Sequence, residues 1–250
     1  MTPEKLAARL RRRMATDPLL REVREAARAS GVPAWLVGGA VRDAALGCPS
    51  EDLDVAAGRG AGRLVRDLGS LWGHRGFRFR KRGVTTWRFE VRGRKVDVVD
   101  ASGRGIERDL RRRDFTVNAI ALDLVGGRTL DPLGGLRDLE AGRLRLPRPG
   151  VVREDPVRAL RACRFLAEFP AFRLDPAARR EAKAAERGLR RASAERVRDE
   201  TDKMLVAPRP DLGLETVERL GLLGAVLPET IPLRRCVAGE GRPDVLKSVV

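Results

Sequence analysis

Two short segments of the chain carry residues that could bind a triphosphate and metal ions. Gly38 and Gly39 follow an apolar run, and Asp52 and Asp54 come shortly after them. Adjacent glycines that lead into a helix let a phosphate approach the backbone. If Asp52 and Asp54 lie on a strand, alternation points both to one face, about 7 Å apart by backbone rise. Such a pair can share divalent metal ions, so the combination indicates chemistry on a nucleoside triphosphate.

A third acidic residue, Asp97, lies within an apolar strand pattern, Lys95-Val96-Asp97-Val98-Val99. An acid in such a strand has two interpretations. It completes the metal site as a third carboxylate, or it pairs with a neighbouring arginine. Asp100 is predicted to point to the opposite face because of its odd spacing from Asp97.

A third segment, Arg112-Arg113-Asp114-Phe115-Thr116-Val117-Asn118-Ala119, combines charges with apolar residues. A charged run is usually a solvated face, but the apolar neighbours indicate that some of these charges lie against the core. Arg113 is predicted to hold a phosphate or sugar, and Asn118 to read a hydroxyl group.

A fourth segment begins at Asp155-Pro156 and continues with Arg158, Arg161 and Arg164. Pro156 fits the first turn of a helix, and Asp155 is predicted to cap it. The three arginines follow at intervals of three and share one helical face. Such a row is either a solvated stripe or, with the leading acid, a set of hydrogen-bonding groups for a base edge and of cations for phosphates.

The elements that must position these residues divide the chain into two halves. Residues 3–30 read as a basic amphipathic helical segment that is broken near Asp17-Pro18. Strands and helices then alternate, and a helix is predicted over residues 107–121. After the Pro- and Gly-containing link at residues 146–150, every pattern is helical. The predicted architecture is an α/β domain with a mixed sheet followed by an all-α domain.

The bulk composition suggests a polyanionic partner. The formal net charge is +16, which favours nucleic acid, although the heavy arginine load also fits a GC-rich coding sequence. The three cysteines are widely spaced and predict neither a disulfide framework nor a zinc site. The absence of long apolar runs predicts no membrane association and a cytoplasmic location.

Five segments, in this order, resemble motifs of one family, the class II tRNA nucleotidyltransferases (CCA-adding enzymes) and bacterial poly(A) polymerases. They are Leu36–Asp54, Arg112–Ala119, the D-P-x-G-G-x-x-D-L-like Leu130–Leu139, Glu154–Phe165, and the S-x-E-R-like Ser193–Val197 with Glu200.

The resemblance implies a polymerase-beta-like nucleotidyltransferase head followed by helical domains. On this basis we expect four regions. They are an N-terminal helical segment (1–30), the catalytic head (31–146), a helical nucleotide-recognising neck (147–206) and a truncated helical body (207–250).

The resemblance also implies roles for the residues of the first half. Asp52 and Asp54 would be the catalytic carboxylates that bind metal, with Asp97 as the third acid. Gly39 and Arg42 would contact the triphosphate, and Gly38 would shape the turn.

For the remaining segments, the resemblance implies contacts with the sugar and the base. Arg113 would lie next to the ribose. Asp155 and Arg158 would act as an amino-acid template for the incoming base, and Arg161 and Arg164 would support the nucleotide.

The activity implied is template-independent addition of CMP and/or AMP, from CTP and ATP, to the 3′ end of tRNA or another RNA, with Mg²⁺ in a two-metal mechanism. Three alternatives stay open. The chain is a CC-adding or A-adding specialist, a poly(A) polymerase, or an inactive basic RNA-binding derivative of such an enzyme.

Overall fold

The computed structural model describes residues 3–48, 50, 52–81, 83–103 and 105–230. The chain forms two compact units, and the division falls between Glu140 and Ala141. The first unit contains a mixed sheet with helices, and the second is largely helical. The predicted order of an α/β half and an all-α half is therefore confirmed. The last residues of the predicted body, 231–250, lie outside the described part of the chain.

The first unit is built from six α-helices and seven strands within the described residues. The helices are α1 (Pro3–Thr16), α2 (Pro18–Ser30), α3 (Gly39–Leu46), α4 (Ala61–Trp72), α5 (Ile106–Leu110) and α6 (Gly135–Glu140). The strands are β1 (Ala34–Val37), β2 (Leu53–Ala57), β3 (Phe77–Lys81), β4 (Val84–Val91), β5 (Arg94–Asp100), β6 (Ala121–Asp123) and β7 (Thr129–Leu130).

All seven strands form one sheet in the order β3-β4-β5-β2-β1-β6-β7. The β2–β5 pair is parallel and the other neighbouring pairs are antiparallel. The two faces of this sheet differ, because alternate residues of each strand point to opposite sides. One face is buried and apolar, as at Leu36, Val55 and Val98. Trp72 of α4 meets Phe89 of this face edge-on, with ring centres 5.0 Å apart.

The opposite face carries the predicted acids and only a small apolar cluster. This cluster contains Val37, Ala56 and Ala121 of three adjacent strands, together with Ala101, Leu110 and Ala119. The strands at the other end of the sheet, β5, β4 and β3, present Asp97, Arg88 and Phe77 on this face instead. The sheet therefore positions polar residues beside an apolar patch.

The N-terminal segment divides into α1 and α2, as the sequence predicts. Asp17 separates them, and its carboxylate accepts hydrogen bonds from the amides of Leu19 and Leu20 at 3.1 and 3.3 Å. This N-cap and the proline at the first helical position explain why the chain breaks there. The segment belongs to the first compact unit.

One predicted helix, over residues 107–121, is wrong. The structure has the short α5 and a single 3₁₀ turn at Thr116–Asn118. Phe115 is extended between them, with φ −131° and ψ 154°. The buried polar residues of this stretch explain the difference, because Asp114 and Thr116 form hydrogen bonds that a continuous helix does not offer.

The second unit is centred on α8 (Val157–Glu168), which contacts α7, α9, α11 and α12. It begins at Ala141, six residues before the predicted start of the neck at residue 147, because β8 (Arg143–Leu144) pairs with β9 (Arg173–Leu174). The remaining helices are α7 (Val151–Glu154), α9 (Pro176–Lys183), α10 (Glu186–Leu189), α11 (Ala194–Leu205), α12 (Pro210–Arg219) and α13 (Leu223–Val226).

In the described ranges, every helix is too short or too polar to cross a lipid bilayer.

Candidate nucleotide-binding site

Gly38 forms a tight turn between β1 and α3. Its φ of 73° and ψ of −142° lie in a region that side-chain-bearing residues rarely adopt. A Cβ built on Gly38 would lie 2.6 Å from Oδ2 of Asp54 and 2.5 Å from Nη1 of Arg113. Because Gly38 has no side chain, the Asp54 carboxylate and the Arg113 guanidinium can both lie close to the turn.

Gly39, the first residue of α3, is different. A Cβ on Gly39 would meet only the Arg42 and Asp43 side chains, at 3.5 Å or more. Helix α3 has no side-chain cap at its N-terminus. Its first amide groups and the positive end of its dipole suit an anion such as a phosphate.

The strand register brings two of the predicted acids together. Asp54 pairs with Asp97 across the parallel β2–β5 ladder, so the two carboxylates lie side by side on the polar face. Asp52 comes directly before β2, which begins at Leu53, and is exposed. The predicted strand position holds for Asp54, whereas Asp52 lies at the entrance to the strand.

The electrostatics of Asp54 reflect this crowding. The Asp54 side chain stays 43% exposed. Partial loss of surrounding water raises the pKa of its carboxyl; the positive charge of Arg113 opposes this, and the nearby Asp97 and Asp52 raise the pKa further. A carboxylate in such surroundings gains from a divalent cation, which prefers oxygen ligands. The donor set at Asp52 and Asp54 therefore fits Mg²⁺.

Asp97 is also held by an arginine, as one of its two sequence interpretations predicts. Nε and Nη2 of Arg88 donate to the two Asp97 carboxylate oxygens at 2.8 and 2.7 Å. Within the described residues, no group of three or more acidic, histidine or cysteine side chains is arranged to hold a metal ion. The role of Asp97 as a third catalytic acid stays a prediction.

Arg88 is a residue that the sequence analysis missed, although a signal was present. The β4–β5 hairpin turns at Arg92 and Gly93, whose φ values are 52° and 75°. A two-residue turn with two positive φ values fixes the register of its flanking strands. Counting back from that turn places Arg88 opposite Asp97.

Arg113 lies between two acids. Its Nη2 donates to Asp109 at 3.2 Å, and its Nη1 is 4.0 Å from Asp54. Its Nε is buried and has no hydrogen-bond partner. A guanidinium beside a carboxylate can bind an anionic or hydroxyl-bearing ligand.

Asn118 belongs to a buried network with Arg42. Nη1 of Arg42 donates to the Asn118 amide oxygen at 2.9 Å, and the amide nitrogen donates to Asp114 at 2.9 Å. Arg42 is also paired with Asp43. Two of the predicted ligand-binding residues are thus linked to each other.

In the second unit, Asp155 differs from its predicted helix-capping role. The N-cap of α8 is Pro156. The Asp155 carboxylate instead accepts two hydrogen bonds from Nη2 of Arg196, at 3.0 and 2.8 Å. Nε of Arg158 lies 4.0 Å from the same carboxylate. The acid and the arginine predicted to read a base are therefore neighbours, and Arg196 of α11 holds the acid in position.

Arg161 and Arg164 both bind Glu200, which lies on α11. Nε of Arg161 donates to one Glu200 oxygen at 2.9 Å, and Nε of Arg164 donates to the other at 2.7 Å. Burial raises the pKa of Glu200, but the charges and hydrogen bonds of these two arginines outweigh this effect and lower it. This geometry links α8 to α11, and a direct contact of either arginine with a nucleotide stays a prediction.

The D-P-x-G-G-x-x-D-L-like segment packs beneath the 3₁₀ turn. Asp138 is fully buried and accepts a hydrogen bond from the Thr116 hydroxyl at 2.6 Å. A Cβ on Gly135 would lie 2.2 Å from the Thr116 carbonyl oxygen. The segment therefore supports the turn that carries Asn118.

Comparison with known proteins identifies the same two regions. Residues 34–145 match the model of the poly A polymerase head domain, and residues 171–233 match the model described as the probable RNA and SrmB-binding site of polymerase A. The mixed sheet, the Gly38 turn and the paired acids define a polymerase-beta-like nucleotidyltransferase head followed by a helical region. The chain belongs to the family of tRNA nucleotidyltransferases and bacterial poly(A) polymerases.

Individual relatives agree with this assignment. The chain is 41% identical over 202 residues to an A-adding tRNA nucleotidyltransferase of Deinococcus radiodurans, covering 78% of this chain and 45% of the relative. It is 40% identical over 208 residues to a multifunctional CCA protein of Stenotrophomonas maltophilia, covering 78% and 51%. The chain thus spans about half the length of these relatives.

A solved structure has the same fold. The CCA-adding enzyme of Thermotoga maritima, in complex with tRNA, matches with a TM-score of 0.77 and 26% identity. The match covers 96% of this chain and 62% of that one.

Proposed function

We propose that this protein is a template-independent RNA nucleotidyltransferase that adds CMP and/or AMP, from CTP and ATP, to the 3′ end of tRNA. The observation that carries the proposal is the arrangement around Gly38, where Asp54 and Arg113 approach a tight turn at a helix N-terminus. Relatives with 40% or more identity include an A-adding tRNA nucleotidyltransferase and a multifunctional CCA protein, which supports the same class of reaction. We also propose a cytoplasmic location, because tRNA ends are processed there.

In this mechanism, the triphosphate lies at the N-terminus of α3. The backbone N–H groups that follow Gly38 donate hydrogen bonds to the phosphate oxygens, and Arg42 adds positive charge. Asp52 and Asp54 would hold Mg²⁺, which when bound activates the attacking hydroxyl and neutralises the leaving group. Arg113, whose Nη1 lies 4.0 Å from Asp54, orients the sugar.

Base choice is assigned to Asp155 and Arg158. A carboxylate accepts a hydrogen bond from the exocyclic amine of adenine or cytosine. A guanidinium donates to the ring nitrogen of either base, and to the carbonyl of cytosine. Uracil and guanine present the wrong edge to this pair. The two hydrogen bonds from Arg196 fix the position of the acid.

A direct assay tests the proposal. The protein is incubated with tRNA that lacks its 3′ end and with labelled CTP or ATP, and the products are resolved by length. Addition of C, of A, of both in order, or of a long A tail separates a CC-adding enzyme, an A-adding enzyme, a CCA-adding enzyme and a poly(A) polymerase. Binding of RNA without any addition would instead indicate an inactive RNA-binding derivative.

A further inference from the structure

The polar face of the sheet carries a row of four paired positions that begins at the candidate site. Asp54 pairs with Asp97, Asp97 with Arg88, and Arg88 with Phe77. Directly paired residues point to the same face of a sheet, so this row crosses β2, β5, β4 and β3. With about 4.8 Å between neighbouring strands, Phe77 lies about 14 Å from Asp54. The row therefore connects the candidate site to the edge of the sheet.

The far end of this row is an exposed aromatic surface. Phe77 is 71% exposed, although it is a large apolar side chain on an edge strand. Its ring stacks on that of Phe79, with centres 6.0 Å apart and planes inclined by 26°. The Arg88 guanidinium lies 5.5 Å from the Phe79 ring centre. We call Phe77, Phe79 and Arg88 the edge surface.

The chemistry of the edge surface suits a nucleobase. Exposed aromatic rings bind bases of single-stranded nucleic acid by stacking, and a neighbouring arginine strengthens such contacts. Arg78 and Arg80 alternate with the two phenylalanines and are exposed on the opposite side of β3. Their charges are complementary to the phosphates of an RNA strand that passes this edge. The combination of stacking surface and positive charge favours single-stranded RNA over an apolar partner.

We propose that the edge surface binds one base of the single-stranded 3′ end of the RNA substrate, upstream of the reacting hydroxyl. This inference rests on the proposed function. Arg88 is part of the edge surface, and it also donates two hydrogen bonds to Asp97. The stacked base therefore lies next to a side chain that also contacts Asp97, the candidate third acid.

The first experiment compares Phe77→Ala, Phe77→Trp and the control Leu71→Ala. Leu71 is also exposed and apolar, at 56%, but it lies on α4. We measure the Kd of a short single-stranded RNA and the KM values of shortened tRNA and of ATP and CTP. Phe77→Ala should weaken RNA binding and raise the KM of tRNA by about tenfold, as expected for loss of one stacked base. Phe77→Trp and Leu71→Ala should stay close to wild type, and the KM of ATP should not change in any variant.

Equal RNA binding by wild type and Phe77→Ala would overturn the inference, and so would an equal loss in Leu71→Ala. A change in the KM of ATP alone would also contradict the inference, because it would indicate that Phe77 contributes to nucleotide binding and not to RNA binding. If the wild-type protein adds no nucleotide, the proposed function fails, while the RNA-binding comparison still tests the edge surface. If the wild-type protein binds no RNA, both fail.

The second experiment locates the stacked base. RNA substrates carrying one abasic site at each of the last positions are bound to wild type and to Phe77→Ala. At one position, removing the base should weaken binding to wild type by about tenfold but leave binding to Phe77→Ala unchanged. Additive losses at every position would show that no single base contacts this surface.

Discussion

At the scale of single residues, the two adjacent glycines have different structural roles. Gly38 has a positive φ and no room for a methyl group, whereas Gly39 has neither constraint. The consecutive glycines were visible in the sequence. Their difference was not, because it depends on Asp54 and Arg113, which come from distant parts of the chain.

This difference gives a first prediction. Gly38→Ala should lower the free energy of unfolding by about 1–3 kcal/mol, because strain and close contacts add. Gly39→Ala should leave stability within about 0.5 kcal/mol of wild type and still raise the KM of ATP and CTP. Urea unfolding and steady-state kinetics measure the two effects. A large loss of stability in Gly39→Ala would contradict the assignment.

A second prediction concerns base choice. Replacing Arg158 with Ala removes the proposed donor to the ring nitrogen, so use of UTP and GTP relative to CTP and ATP should rise about tenfold. Arg153→Ala is the matched control, because Arg153 is an exposed arginine of the preceding helix α7. Competition between labelled nucleotides provides the measurement. Unchanged nucleotide selectivity in Arg158→Ala would show that this residue does not take part in base recognition.

At the scale of elements, α1 contacts the loop that leads to the acids. Nη1 of Arg13 donates to the Cys48 carbonyl and Nη2 to the Ser50 carbonyl, both at 3.1 Å. The Ser50 hydroxyl donates to the Asp52 carbonyl at 2.9 Å. Helix α1 lies outside the matched head domain, which begins at residue 34. This helix therefore adds support for a loop of the candidate site.

Arg13→Ala is expected to lower kcat by about tenfold, because a small misplacement of catalytic groups is costly. Arg12→Ala is the control. Arg12 is an exposed neighbour in the same helix, and its replacement removes the same positive charge. Kinetics at saturating RNA and nucleotide give the comparison. Equal losses in the two variants would indicate a general effect of charge and not of loop position.

The contact between α8 and α11 gives a prediction about pH. The pKa of Glu200 is lowered in the folded protein, so its ion pairs stabilise the fold above the ordinary pKa of glutamate. This contribution is lost as pH falls through the lowered pKa. Glu200→Gln should therefore cost about 2 kcal/mol at neutral pH, and the difference from wild type should shrink in acid.

Denaturant unfolding at a series of pH values measures this difference. Glu195→Gln is the matched control, because Glu195 is an exposed acid of the same helix. It should show no comparable loss at neutral pH. A difference between wild type and Glu200→Gln that stays constant into acid would contradict an ion-pair origin.

The elements also show what a sequence can and cannot reveal. The break at Asp17, the Gly38 turn and the strand position of Asp54 followed from local patterns and were confirmed. The helix over residues 107–121 was wrong because buried hydrogen bonds replaced local helical preference. Contacts such as Arg13 with Ser50 depend on tertiary packing and leave no local signal.

At the scale of the whole molecule, each of the two units carries a different set of the proposed site residues. The sheet unit carries the acids, the Gly38 turn and the edge surface, and the helical unit carries Asp155 and Arg158. A net charge of +16 suits RNA as the common partner. The family resemblance was visible in five short segments, whereas the row from Asp54 to Phe77 required the strand register.

The most direct test of the central claim is incorporation of labelled CTP or ATP into tRNA that lacks its 3′ end. We predict that wild type extends this RNA in the presence of Mg²⁺. The double substitution of Asp52 and Asp54 by Ala should abolish extension while the Kd for RNA stays within about twofold, because these acids bind metal and not RNA. Absence of any incorporation by wild type, with RNA binding retained, would contradict the account.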